Sequence, residues 1–229
     1  MGRTPAKSGI YYTFDSGMTW DQIDDSDTSF GGRLRLLHVN ENNVMELYAT
    51  DGNHRFLRSY NGGMNWDVIE KPTEARVTMV FQSPHNDKLL IINNPIRPFD
   101  RLFRSEDGEE SWEWVSQGFP HSSHGVDIRV AFHPEDSSKA YATADPIIGQ
   151  ISFYRSTNAG RNWTRISYAP RWRIGFAKST PDEGNEQWIL LNYSGRLYHS
   201  YNDGITWGDY IDNISPYYIV TVAKTPWLL

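Results

Sequence analysis

The chain has 229 residues, a formal net charge of −6 at pH 7, 14% aromatic residues and no cysteine. The acidic balance argues against a general nucleic-acid binder, because such proteins carry basic patches that neutralise phosphates. The absence of cysteine excludes disulfides, thiolate metal sites and cysteine nucleophiles. No run approaches the roughly 18 consecutive apolar residues of a membrane span, so no membrane insertion is expected.

Five apolar stretches at regular intervals predict the first strand of a repeated unit. They are rich in β-branched and aromatic residues, and most of them run into a proline, which suits a strand end. The five are RLRLLHV (33–39), RVTMVFQ (76–82), DIRVAFH (127–133), RIGFAK (173–178) and YYIVTVAK (217–224).

Three further strands follow the first strand in each predicted unit. The second strands are VMELYAT, KLLIINN, KAYATAD and QWILLNY, the third are HRFLRS, DRLFRS, ISFYRS and GRLYHS, and the fourth are NWDVI, WEWV, NWTRI and TWGDYI. Four antiparallel strands in a unit of this length are typical of a β-propeller blade. No segment shows sustained helical periodicity.

A polar turn between the third and fourth strands recurs five times, beginning with TFDSGMTW at 13–20. We expect its hydroxyl and its Asp or Asn oxygen to accept hydrogen bonds from backbone N–H groups, and its Gly to adopt a positive φ. The Trp should pack beneath the turn. In the third copy Glu109 stands at the Gly position and Gly108 one place early, which predicts a distorted turn. The turn residues are Thr13, Asp15, Gly17, Trp20, Ser59, Asn61, Gly63, Trp66, Ser105, Asp107, Trp112, Ser156, Asn158, Gly160, Trp163, Ser200, Asn202, Gly204 and Trp207.

This turn resembles the Asp-box, or BNR repeat, of sialidases, the sortilin family, xyloglucan-specific glucanases and photosystem II assembly factors. The resemblance covers nearly the whole chain and implies a single all-β domain over residues 1–229, a β-propeller of five four-stranded antiparallel blades. The chain begins at a third strand, GIYYTF, and ends just after a first strand. We therefore expect the N- and C-terminal strands to close the ring in one blade. The alternative is a piece of a larger propeller, whose open edge would pair with another chain.

Families that share the Asp-box include hydrolases, receptors and assembly factors, so the fold leaves the function open. Four arginines at or near the starts of first strands are candidates for a cluster that binds a carboxylate or phosphate. Aromatic residues in the links between blades suit a protein-binding or sugar-stacking surface, or else fill the gaps between blades. The arginines are Arg33, Arg76, Arg129 and Arg173, and the aromatic residues are Phe30, Phe119, Tyr168, Trp172, Tyr217 and Tyr218.

We expect a non-catalytic binding or scaffold module that presents the face opposite its turns to a protein partner or a glycan. It would act as a monomer or as a subunit of a larger assembly. Because sialidases hold their substrate carboxylate with three arginines, the resemblance also implies an alternative, a sialidase-like glycosidase. Its nucleophile would be Tyr217 or Tyr218 and its acid Asp127.

Two observations weigh against the enzyme. No Phe-Arg-Ile-Pro motif precedes the first turn, and the arginines can pair with neighbouring acids such as Glu74 and Asp127. The HSSH stretch at 121–124, even with Asp127, lacks a third convincing metal ligand. No metal and no cofactor are therefore expected.

Overall fold

The computed structural model describes residues 11–13, 15–23, 34–94, 101–120, 126–146, 150–169, 173–178, 187–193 and 196–208. Within these ranges the chain forms seventeen β-strands and no helix, as predicted. The strands are β1 (Tyr11–Tyr12), β2 (Asp21–Gln22), β3 (Arg35–Val39), β4 (Leu47–Thr50), β5 (Phe56–Ser59), β6 (Asp67–Ile69), β7 (Met79–Ser83), β8 (Asn86–Asn93), β9 (Leu102–Ser105), β10 (Glu113–Trp114), β11 (Asp127–Phe132), β12 (Ala140–Asp145), β13 (Ser152–Ser156), β14 (Thr164–Tyr168), β15 (Arg173–Lys178), β16 (Gln187–Tyr193) and β17 (Arg196–Ser200).

The strands pair with their neighbours along the chain, so each sheet is an antiparallel meander. Three sheets have four strands, in the orders β3-β4-β5-β6, β10-β9-β8-β7 and β11-β12-β13-β14. The described residues add a three-stranded sheet, β15-β16-β17, and a two-stranded sheet, β1-β2. The four-strand repeat is thus confirmed, whereas the first strand predicted at 217–224 lies outside the described residues. Five blades and the closure of the ring stay predictions.

Contacts within the chain divide it into an N-terminal unit, Met1–Val80, and a C-terminal unit, Phe81–Leu229. In both units the second and third strands of the sheets form the core. Strand β4 is buried along its whole length, and so is the apolar half of β8. Middle strands are covered on both faces, which explains why they read as continuous apolar runs rather than as alternating patterns.

The five repeat turns share one hydrogen-bond pattern. In every turn the Ser or Thr Oγ accepts a bond of 2.8–3.0 Å from the backbone N–H four residues on. The Asp or Asn Oδ1 likewise accepts a bond of 2.8–3.1 Å from the N–H four residues after it. The hydroxyl also donates its proton to that Oδ1, at 2.7–3.0 Å. The two side chains therefore satisfy turn N–H groups that have no partner in the strand ladder.

Each turn needs two consecutive residues in the left-handed region, which the sequence pattern did not reveal. The pairs are Ser16–Gly17, Gly62–Gly63, Gly108–Glu109, Ala159–Gly160 and Asp203–Gly204. The third turn keeps this geometry, with Gly108 at φ 81° and Glu109 at φ 70°, and Glu109 N–H still reaches Ser105 Oγ at 2.9 Å. The expected distortion was wrong, because glycine merely occupies the first of the two left-handed positions.

The glycine at the second left-handed position also leaves room for a side chain of a neighbouring sheet. In the C-terminal unit a Cβ at Gly204 would stand 2.5 Å from Phe153 Cδ1 and closer still to Cε1, and one at Gly160 would meet Ile91 Cδ1. Phe153 and Ile91 are fully buried. The glycine is therefore required by packing between sheets as well as by its φ.

Two of the five turn tryptophans, Trp163 and Trp207, pack as expected. Trp207 lies edge-on to Phe153 with 5.0 Å between ring centroids, and Trp163 packs against the buried Phe119. Trp20 departs from the prediction, since 59% of it is exposed. Its indole N–H bonds to Gly17 O of its own turn at 3.1 Å, and its sheet has only two described strands.

Basic residues just before the turn serine join successive sheets of the C-terminal unit. Arg104 Nε donates to Ala159 O at 3.0 Å, and Arg155 pairs with Asp203 at 3.2 Å. Tyr141 Oη donates to the same Asp203 carboxylate at 2.6 Å. Burial works to raise the pKa of Asp203, but the Tyr141 hydrogen bond and the nearby cations outweigh it and lower the pKa. The carboxylate thus stays charged as an inter-sheet link.

Replacing Gly204 with Ala should destabilise the protein far more than replacing Gly118. Both glycines have a positive φ, but a Cβ at Gly118 meets nothing within 4 Å. We expect about 1–2 kcal/mol for Gly118→Ala from the strained φ alone, and a further 1–3 kcal/mol for Gly204→Ala from overpacking against Phe153. Urea unfolding followed by tryptophan fluorescence measures both. Equal losses would contradict the packing role.

The Asp107→Asn variant should remove an acid-sensitive part of the stability while keeping the turn. Hydrogen bonds from the Ser111 hydroxyl, the Ser105 hydroxyl and the Ser111 N–H lower the pKa of Asp107 from 3.8 to about 2. A lowered carboxyl pKa contributes stability above pH 3.8 that is lost as the pH falls toward 2. An Asn preserves the bonds, as Asn202 does by donating Nδ2 to Thr206 Oγ1 at 2.8 Å.

Urea unfolding at pH 7 and at pH 2.5 tests this expectation. The wild type should lose more stability on acidification than Asp107→Asn. An equal loss in the two proteins would show that the Asp107 carboxylate does not contribute.

Candidate binding face

At the sheet end opposite the repeat turns, β4 and β5 are joined by a tight link that a buried carboxylate holds. Asp51 Oδ1 accepts bonds from the backbone N–H groups of Asn53 at 3.0 Å and Arg55 at 2.8 Å. Its Oδ2 pairs with Arg55 Nε at 2.6 Å. Asp51 is completely buried, so this pairing satisfies a charge that would otherwise be costly to bury. The bonds of Asp51 therefore fix the conformation of the 51–55 link.

Two further arginines are adjacent to Thr50, the last residue of β4. Arg76, from the link that precedes β7, donates Nε to Thr50 Oγ1 at 3.3 Å. Arg35 is the register partner of Thr50 across the β3–β4 ladder. Thr50 is buried, Arg76 is half-buried and Arg35 is exposed. A guanidinium whose Nε is held in this way can offer its terminal N–H groups in a fixed direction.

The same register recurs in the C-terminal unit. Arg129 lies opposite Thr143 in the β11–β12 ladder, and Arg173 lies opposite Asn192 in the β15–β16 ladder. Strands β11 and β15 contact each other, so Arg129 and Arg173 occupy corresponding positions on adjacent strands. In three sheets, then, a first-strand arginine faces the Thr or Asn near the end of the second strand.

Sequence reasoning missed Arg35 because of a bulge. The register of β3 against β4 shifts between Leu36 and His38, and this moves Arg35 into the position that Arg129 holds in its own sheet. The sequence analysis selected Arg33 instead, because Arg33 stands at the start of the predicted strand 33–39. The alignment of Tyr48-Ala49-Thr50 with Tyr141-Ala142-Thr143 in the second strands was the available signal.

Several predicted site residues lie outside the described residues. These are Arg33, Trp172, Tyr217 and Tyr218, together with Phe30 and the HSSH stretch at 121–124. Asp127 begins β11 and pairs with Asp145. Arg76 is placed against the end of β4 by its bond to Thr50, and convergence of the arginines in one pocket stays a prediction.

The predicted aromatic residues divide between core and surface. Phe119 is buried and packs against Tyr154 at 4.3 Å between centroids, so it fills the core. Tyr168 is exposed, with the Arg165 guanidinium 5.1 Å from its ring centre. Trp114, which the sequence analysis did not select, is also exposed and lies 5.7 Å from the Arg101 guanidinium.

Trp114 is oriented by a further contact, because its indole N–H donates to Ser116 Oγ at 2.6 Å. Exposed aromatic rings beside arginine are typical of protein-binding and sugar-stacking surfaces. The pattern WEWV, in which two tryptophans alternate with polar residues on an outer strand, was the signal that could have identified it.

Within the described ranges, no group of three His, Cys, Asp or Glu residues is placed to hold a metal ion. Among the described residues there is no helix with the length and apolar character that a membrane span requires.

Comparison with solved structures places the chain among β-propellers. The GH74 enzyme of Niastella koreensis superposes with a TM-score of 0.62 and 17% identity, over 88% of this chain and 34% of its own. YCF48 bound to a D1 peptide gives a TM-score of 0.52 and 15% identity, over 90% of this chain and 62% of its own. The NanB sialidase of Streptococcus pneumoniae gives 0.50 and 15%, over 74% and 29%.

The chain therefore spans less than two thirds of each of these proteins. No protein-family model and no curated protein matches the sequence. At these identities the likeness shows an all-β fold similar to that of β-propellers, and it leaves the activity open.

Proposed function

We propose that the protein is a non-catalytic Asp-box β-propeller of five blades, closed by its terminal strands. It presents the face opposite its turns to a protein partner or a glycan. The observation that carries this proposal is the pair of arginines, Arg35 and Arg76, at the buried Thr50 beside the fixed 51–55 link.

The chemistry of this face suits an anionic or carbonyl-rich ligand. Arg55 is committed to Asp51, whereas Arg35 is exposed opposite Thr50 and Arg76 bonds to Thr50 through its Nε. A partner carboxylate bound there would be held by paired N–H bonds. A peptide and an acidic glycan both offer such groups, and the propeller neighbour YCF48 was solved bound to a D1 peptide.

The recurrent arginine register favours a second candidate, a sialidase-like glycosidase. Arg129 and Arg173, on adjacent strands of the C-terminal unit, would hold a substrate carboxylate, with Asp127 as acid and Tyr217 or Tyr218 as nucleophile. The NanB sialidase, which is 15% identical, has a similar fold. We rank the glycosidase second because no Phe-Arg-Ile-Pro motif precedes the first turn.

Native mass spectrometry of the untagged full chain, isolated gently from its source cells, tests the proposal. We expect a stoichiometric complex heavier than 26.4 kDa. The double variant Arg35→Gln, Arg76→Gln should lose at least tenfold in complex yield, because it removes the two positioned guanidiniums without changing side-chain length greatly. Val68→Thr, an exposed change on β6, is the matched control and should leave the yield unchanged.

A lone mass of 26.4 kDa, or a complex that the double variant retains in full, would contradict the proposal. Turnover of 4-methylumbelliferyl N-acetylneuraminate separates the two candidates. Measurable hydrolysis by the wild type that disappears in Arg129→Ala would establish the glycosidase instead.

A further inference from the structure

A second surface lies at the opposite end of the N-terminal unit, beside the second repeat turn. Four apolar side chains are exposed there, namely Val44 (68%), Met45, Tyr60 (56%) and Met64 (75%). Val44 and Met45 belong to the link between β3 and β4, and Tyr60 and Met64 belong to the turn 59–66. The two segments are joined by the bond from Gly62 N–H to Met45 O at 2.8 Å, so the four side chains are carried by adjoining segments. The set is here called the Met45–Met64 patch.

The centre of this patch is held rigid from below. The Arg58 guanidinium lies 4.2 Å from the Tyr60 ring centre and pairs with the buried Glu46. Glu46 also accepts bonds from Asn40 Nδ2 at 2.6 Å and from Tyr48 Oη at 2.9 Å. Tyr60 is thus positioned in advance of any contact, which reduces the entropy that binding would cost.

Equivalent positions in other turns of the chain show that the apolar residues are not required by the fold. In the third and fourth turns these positions carry Glu106, Glu110, Thr157 and Arg161. Arg161 pairs with Glu106 at 2.7 Å and Glu113 at 3.2 Å, so charged residues serve the turn well. The fifth turn also exposes an apolar pair, Tyr201 and Ile205. The apolar residues therefore follow individual turns rather than the shared turn structure.

Negative charge accompanies the patch. The exposed Glu41 belongs to the same 40–46 link as Val44 and Met45. Glu46 of that link is buried and pairs with Arg58, the cation beside Tyr60. An apolar patch next to an exposed carboxylate is complementary to a segment that combines apolar and basic residues. Methionines suit such a role because their flexible thioethers adapt to varied apolar partners.

We propose that the Met45–Met64 patch is a docking surface for a peptide segment that carries both large apolar residues and Lys or Arg. The apolar side chains pack on Met64, Met45 and the Tyr60 ring, and a Lys or Arg side chain lies beside Glu41. This site is distinct from the arginine face and does not depend on the proposed function.

Selection from a random dodecapeptide phage library against the full chain tests the proposal. Peptides that bind the wild type but not the Tyr60→Ser, Met64→Ser variant should combine Leu, Ile, Phe or Trp with Lys or Arg. A synthetic peptide of the recovered sequence should bind the wild type by fluorescence anisotropy, and the variant should bind it at least tenfold more weakly. Val68→Thr and the Arg35→Gln, Arg76→Gln double variant are the matched controls and should bind normally.

The single Met64→Ser variant keeps the test valid if the double variant does not fold, and thermal unfolding checks each protein. Raising the salt from 0.05 to 0.5 M should weaken binding of the basic peptide, because its charges are screened. Recovery of no variant-sensitive peptide, or of peptides without basic residues, would overturn the proposal. So would patch-dependent binding to phosphatidylcholine–phosphatidylserine vesicles, or self-association that Met64→Ser abolishes.

Discussion

The repeat turn depends on one constraint, that two successive residues adopt the left-handed conformation while the backbone N–H groups around them find acceptors. A single hydroxyl and a single Asp or Asn oxygen meet this need in all five turns. Because either amide or carboxylate oxygen can accept, Asp and Asn are interchangeable for geometry, although the carboxylate alone titrates. In every sheet that has a described third strand, this turn follows that strand.

The turns also decide how neighbouring sheets of the C-terminal unit meet. The glycine at the second left-handed position leaves room for Phe153 or Ile91 of the preceding sheet. The side chain before the turn serine then reaches forward, as Arg155 does to Asp203. Local turn chemistry and packing between sheets are therefore satisfied by the same residues.

The two ends of the N-terminal unit have different chemistry. At one end Arg35 and Arg76 lie beside Thr50 at the end of β4, and the buried Asp51 fixes the 51–55 link. At the other end exposed apolar side chains lie beside Arg58, which pairs with the buried Glu46. In both places a buried carboxylate pairs with a less buried arginine, so the buried charge is satisfied.

The sequence by itself determined the strand order, the absence of sustained helix and the polar caps of the turns, because strand patterns and turn chemistry are local. It placed Arg76, Arg129 and Arg173 near strand ends, but it could not show the bulge that makes Arg35 the equivalent of Arg129. Only the tertiary structure decided that Glu109 preserves its turn, that Phe119 is core while Trp114 is exposed, and that Trp20 is largely uncovered. These outcomes depend on register, on φ and on which neighbour covers a side chain, and those are set by pairing between segments that are distant in the chain.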